Sequence, residues 1–75
     1  MSERLPALTA REIIKVLEHH EFVLVRQSGS HAIFHHADGR RTTVPIHSKR
    51  TIGRGLLRQI MRDAALDFAD LRTRN

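Results

Sequence analysis

Six histidines are the residues of this chain best suited to chemistry near neutral pH. Three of them fall in one stretch, Ser28-Gly29-Ser30-His31-Ala32-Ile33-Phe34-His35-His36. Imidazole titrates near neutrality, so it can move protons or, unprotonated, ligate a metal. The metal alternative fails on spacing. His19-His20 and His35-His36 are adjacent pairs, and neighbours in a strand point to opposite faces. His31 and His35 share a face but stand ~13 Å apart at the usual strand rise. No H-x-x-x-H falls on a helical segment and no carboxylate is spaced to complete a ligand set, so no metal or other cofactor is expected. His19 and His20 read instead as the polar end of a helix, where imidazolium suits the dipole. Nucleophilic chemistry finds little support: there is no cysteine, and Ser28, Ser30 and Ser48 lack a strand–turn–helix elbow. Paired carboxylates are absent too, because the strand segments carry no acid and Asp38 lies in a turn.

What remains is histidine beside positive charge. The formal net charge is +5. Residues 1–39 sum to −1, residues 40–62 hold seven Lys/Arg and no acid, and residues 63–75 sum to −1. The excess therefore lies in one segment, which favours a polyanion partner, RNA or DNA ahead of an acidic protein or a membrane surface. RNA carries its own nucleophile, the 2′-OH. Cutting it needs one group to take that proton, cations to hold the phosphate, and a group to protonate the leaving oxygen. Gly-Ser-His is equally the signature of a polar residue following a hairpin turn, and the residues alone leave both readings open.

The elements that must position these groups are legible in outline. Thr9 with Glu12 three residues on is a capping box, and Leu8 and Ile13 are placed for the hydrophobic staple. Ile13, Ile14, Val16 and Leu17 then give an apolar helical face. "FVLVRQ", "HAIFHH" and "RTTVPI" read as three short strands, separated by Ser28-Gly29-Ser30 and by the Asp38-Gly39 turn. Pro45 has no N–H for a ladder, so the third strand lies at an edge or bulges there. "TIGRGLLRQIMRDAAL" reads as a second helix with Thr51 as N-cap and Leu56, Leu57, Ile60, Met61 and Ala64 on one face. Arg54, Arg58 and Arg62 recur every four residues as a flanking stripe. Gly53 and Gly55 weaken the first turn and hint at close backbone approach, as to a phosphate. "LDFADL" can add a short terminal helix. The expected fold is α+β, an α-β-β-β-α domain with a three-stranded antiparallel sheet and two helices packed on one face. Its topology resembles the double-stranded-RNA-binding (dsRBD) fold. Residues 1–75 are expected to form one domain. In phase, Ala32 and Phe34 should face the helices, and His31 and Ile33 the open side of the sheet.

No apolar run reaches the ~18–20 residues of a membrane span. The N-terminal segment lacks the apolar stretch of a signal peptide. A cytoplasmic, soluble protein is expected.

Together "LTAREIIKVLE", "FVLVRQSGSHAIF", "DGRRTTVPIH" and "GRGLLRQIMRDAAL" resemble HicA toxins, the mRNA interferases of HicA–HicB toxin–antitoxin systems. The resemblance runs from about Leu5 to Leu71. Its most specific element is Gly29-Ser30-His31 with Phe34 three residues on; Val44-Pro45-Ile46-His47 and Leu57-Arg58 agree less distinctively. It implies a dsRBD-like fold and ribosome-independent endoribonuclease activity that arrests translation. It implies His31 as the catalytic residue, and a HicB-type antitoxin as the partner that covers the active surface. Any contact with DNA would then be indirect, through the antitoxin complex. Around His31, Gly29 and Ser30 are expected to shape the turn, and Arg26, Lys49, Arg50, Arg54 and Arg58 to hold RNA. His47 is the candidate auxiliary proton-transfer group. Two readings from other classes compete: a double-stranded-RNA binder that does not cut, and an interaction module docking an acidic partner. One departure stands out. Such proteins usually carry glycine between the first helix and first strand, where this chain has Glu21. A left-handed residue there would cost about 1 kcal/mol, or the helix end would shift.

Overall fold

A computed structural model of the chain describes residues 7–46 and 50–72, the side chains of Phe68 and Arg72 aside. Thr9 and Glu12 start the first helix as their spacing predicts. The Glu12 N–H donates to Thr9 Oγ1 at 3.3 Å and the Thr9 N–H to Glu12 Oε1 at 2.9 Å. Helix α1 (Ala10–His19) follows and buries Ala10, Ile13, Val16 and Leu17. It ends in a Schellman motif. The Phe22 N–H donates to the Leu17 carbonyl and the Glu21 N–H to the Glu18 carbonyl, both at 2.9 Å. Glu21 takes φ 71 to make it. The helix end has not moved; the left-handed position is kept with a glutamate in it.

Three strands then form one antiparallel sheet in the order β1-β2-β3: β1 (Val23–Ser28), β2 (His31–His35) and β3 (Arg41–Pro45). Pro45 sits in an edge strand, as its missing N–H requires. Ala32 and Phe34 of β2, with Thr42 and Val44 of β3, are buried beneath the helices, whereas His31, Arg41 and Thr43 are exposed on the other face. The phase expected from the alternation is borne out. The helices cover β2 and β3 but leave β1 bare along its whole length, including Val23, Leu24 and Val25. A register shift between Leu24 and Arg26 bulges that strand.

Helix α2 (Arg54–Ala64) starts later than Thr51 as N-cap would require; its N-cap is Gly53, which makes no side-chain cap bond. The physical reason is the burial of Ile52. Residues around it run extended, with Thr51 bridged to Thr9 and the Ile52 N–H donating to the Leu8 carbonyl at 2.6 Å. An extended Ile52 cannot also lie in a helical first turn. The buried stripe of α2 is Leu57, Ile60 and Ala64. Leu56 and Met61 flank it at about 100° per residue: Met61 packs partly against the core, and Leu56 is open to solvent, contrary to its expected place on the buried face. A short α3 (Phe68–Arg72) closes the chain with Leu71 in the core.

Candidate functional site

The hairpin joining β1 to β2 presents His31. Gly29 takes φ 58 and Ser30 has no positive φ, the pattern of a two-residue type II′ turn with glycine first. The Ser30 carbonyl accepts from the Ile46 N–H at 2.6 Å, which ties the turn to the end of β3. Gly29 is therefore required by the backbone, and Ser30 fixes the turn through its main chain. His31 follows, exposed, as the first residue of the central strand.

Register places the rest of the open face in three rows. Ser28, His31 and Pro45 form the first; Arg26, Ile33 and Thr43 the second; Val23, His35 and Arg41 the third. Each row is ~7 Å from the next along the strands. Arg26 stands diagonally from His31, ~7–8 Å away between backbone positions, within reach of a long side chain. No strand residue carries a carboxylate, and among the described residues no ion pair neutralises Arg26 or Arg41. Among the described residues no group of three or more His, Asp or Glu side chains converges as a metal site would.

The other expected site residues divide. Arg50 is exposed on the link before α2, and Arg54 and Arg58 are exposed on α2, in the layer opposite the His31 face. The Thr42 hydroxyl donates to Asp63 Oδ2 at 3.2 Å, which pins the C-terminal end of α2 beside the start of β3. Arg58 and Arg54 lie successively farther from that anchor. Lys49 and His47 fall outside the described residues. Gly53 and Gly55 have open space where a Cβ would stand, so packing within the chain does not demand glycine at either.

The basic segment is thus not a single patch. Arg40 is taken up in packing: its guanidinium bonds Asp38 Oδ2 at 2.8 Å and the Ala64 carbonyl, and lies 5.1 Å from the centre of the Phe22 ring. That contact closes the end of α2 onto the β2–β3 turn, where Gly39 takes φ 101. The Arg40 N–H bond to Asp38 Oδ1, together with the Arg40 side chain, holds the Asp38 carboxyl below the usual aspartate value of 3.8. His36 points into the same cluster, its ring 5.1 Å from that of Phe22 and its Nδ1 accepting from the Asp38 N–H at 3.0 Å. His19 and His20 remain at the end of α1, where His20 Nε2 lies 3.6 Å from Asp70 of α3. Of the histidines described, only His31 and His35 share the open face.

Arg41 and Ser28 were not singled out by residue type and spacing. The signal that finds Arg41 is phase: with Val44 in the core, Arg41 must share the face of Thr43, and hence of His31. Ser28 follows from register, since it stands directly opposite His31 across the β1–β2 turn.

A family model described as the HicA toxin of bacterial toxin–antitoxin matches residues 10–66, from the first residue of α1 to just beyond α2. The matched span contains all three rows of the open face. No curated protein sequence matches the chain.

Proposed function

The chain belongs to the HicA family of bacterial toxin–antitoxin toxins, and from that premise we propose that it is an endoribonuclease that cuts mRNA with His31 as its proton-transfer residue. One observation carries the reading. His31 stands exposed on a sheet face that holds Arg26 and Arg41 and, among the described residues, no carboxylate. Such a face attracts a phosphodiester and offers it one imidazole at the rim.

In the proposed reaction the imidazole takes the proton of the 2′-OH, and the 2′-oxygen attacks the neighbouring phosphorus. The bond from phosphorus to the 5′-oxygen breaks, leaving a 2′,3′-cyclic phosphate and, once protonated, a 5′-hydroxyl. Arg26, diagonal to His31, holds the non-bridging oxygens as charge develops on them. Ser28, opposite His31, is placed to orient the imidazole or the 2′-OH. Gly29 and Ser30 act through the turn rather than by contact. Arg50, Arg54, Arg58 and Lys49 would draw in more distant parts of the RNA, and His47 is the candidate for protonating the leaving oxygen. The antitoxin partner implied by the family is proposed to be HicB-type and to act by covering the open face. The setting is the cytoplasm, where mRNA is exposed.

The test is induction of the wild-type chain and of His31→Ala, scoring growth arrest and RNA decay together. Wild type arrests growth and degrades RNA; His31→Ala does neither, while retaining its circular dichroism spectrum and RNA affinity. An RNA carrying 2′-deoxyribose at the cut site should resist cleavage, and sustained cutting of it would refute attack by the 2′-OH.

A further inference from the structure

Arg41 lies in the third row from His31, and the free edge of β3 beside it opens into a groove of about 260 Å³. The groove is lined by Ile33, Arg41 and Thr43 from the open face and by Thr42, Gln59 and Asp63 from the helix side. We propose that this groove is a nucleotide-binding subsite remote from the cut, the far end of a track for single-stranded RNA that starts at His31. The inference rests on the nuclease reading and adds the strandedness of the substrate and the place of its distal contact.

Three features support it. First, the rows of the open face repeat every second residue of a strand, ~7 Å, close to the spacing of successive phosphates in an extended strand. With the scissile phosphate between His31 and Arg26, Arg41 stands one row beyond Arg26 and two strands across, ~12 Å from it between backbone positions, about two phosphate steps along an extended strand. Second, the backbone of β3 is available there. The Ile46 N–H bonds Ser30 and the His36 N–H bonds Arg40. Antiparallel alternation therefore turns the N–H and C=O groups of Arg41 and Thr43 outward along the free edge. Donors and acceptors for a base or ribose stand beside the Arg41 guanidinium. Third, Arg41 is uncommitted: among the described residues it has no carboxylate within ion-pair distance, whereas its neighbour Arg40 is bound to Asp38. The chemistry of the cut agrees with the strandedness, because in-line attack by a 2′-OH needs a backbone free to leave A-form geometry. Among the described residues the face has no Phe, Tyr or Trp, so binding should rest mainly on phosphates, with steep salt dependence.

The experiment uses a fluorescent, mixed-sequence, single-stranded oligoribonucleotide and the full chain in a His31→Ala background. Arg41→Ala should weaken binding about fivefold, the effect of one exposed ion pair. It should also lower the slope of log affinity against log salt by ~0.7. Thr43→Glu, which adds a carboxylate to the track outside the core, should weaken binding at least as much. Arg11→Ala on α1 should change neither quantity. With His31 intact, Arg41→Ala should lower kcat/KM on the long oligomer and leave a dinucleotide substrate unaffected. A wild type that cuts the oligomer no better than Arg41→Ala and Thr43→Glu overturns the subsite and leaves the nuclease standing. A wild type that cuts nothing, yet binds the oligomer through Arg41, keeps the track and refutes the nuclease. If both variants lose affinity for polyglutamate but not for RNA, the face is a protein-docking surface and the proposal fails.

Discussion

Replacing Glu21 by glycine should make this protein more stable. Glu21 holds φ 71 at the end of α1 because the Schellman bonds from Glu21 to Glu18 and from Phe22 to Leu17 require it. Those bonds let the chain reverse and deliver Phe22, 3% exposed, into the core beside Leu17. A residue with a Cβ in this region carries a strain of roughly 1–2 kcal/mol. Glycine relieves it but loses about 0.5–1 kcal/mol more conformational freedom on folding. The net gain is about 0.5–1 kcal/mol. With an unfolding entropy of about 2.1 cal/mol/K per residue, the 75 residues convert that gain to a rise in Tm of ~3–6 °C. Thermal and urea denaturation followed by circular dichroism measure it. Glu21→Ala is the control, since it removes a carboxylate from the negative end of the helix dipole but keeps the Cβ. It should gain only a few tenths of a kcal/mol. If Glu21→Ala stabilises as much as Glu21→Gly, charge and not backbone strain governs the site, and the reasoning fails. If Glu21→Gly destabilises, the glutamate makes an interaction worth more than the strain.

Other outcomes follow from the same physics. Ala65 repeats the left-handed exit at the end of α2, with φ 56, so Ala65→Gly should add a further ~0.5–1 kcal/mol, independently of Glu21→Gly in the double variant. Phe34, 1% exposed on the central strand β2, should cost about 3–5 kcal/mol as alanine, enough to unfold much of the population at 37 °C. Folding lowers the Asp38 pKa, chiefly through the Arg40 N–H bond. Its stabilisation is therefore present above the usual value of 3.8 and lost as pH falls through that value towards the folded-state one. A urea midpoint measured from pH 6 to pH 2 should drop less steeply in Asp38→Ala than in wild type at the acid end. Gly55 sits in the first turn of α2 with open space around it, so Gly55→Ala should stabilise by up to about 1 kcal/mol, and a loss in urea titration would show a neighbour that the geometry lacks.

Much of the fold was legible because its local and long-range preferences agree. The Thr9–Glu12 capping box, the Gly29 and Asp38-Gly39 turns, the edge placement of Pro45 and the phase of β2 each follow from one residue's backbone needs or from strict alternation. The readings that failed depend on contacts between distant segments. Thr51 has the side chain of an N-cap, yet the burial of Ile52 against Leu8 draws that segment into an extended bridge. Leu56 has the spacing of a core residue, but among the described residues no element covers its flank. For the candidate site, the residues alone left His31 between a turn residue and a proton-transfer group, the family resemblance singled it out, and charge counting located the basic segment. Counting could not divide that segment, because Arg40 and Arg41 are neighbours in sequence and point to opposite faces. Only the register shows that one is used in packing and the other remains on the face of His31.

This division between neighbours is how so small a domain combines a core with an open, charged sheet face. On β2, Ala32 and Phe34 are sealed under the helices while His31, Ile33 and His35 face outward, so each strand residue serves one side only. A one-residue slip in β2 would bury an imidazole and expose the largest core side chain, which makes register the property most tightly selected by packing. The turn at Gly29-Ser30 is closed by a main-chain bond to Ile46, and the turn at Asp38-Gly39 is closed by Arg40 and Phe22. Both ends of the central strand are therefore pinned from the core side. The open face can then carry Arg26, His31 and Arg41 without any of them contributing to the fold. Among the described residues neither Arg26 nor Arg41 has a carboxylate within ion-pair distance to offset its charge. Removing Arg26 or Arg41 singly should accordingly leave stability unchanged or slightly improved while RNA affinity weakens, whereas substituting Phe34 or Val44, buried on β2 and β3, should cost stability.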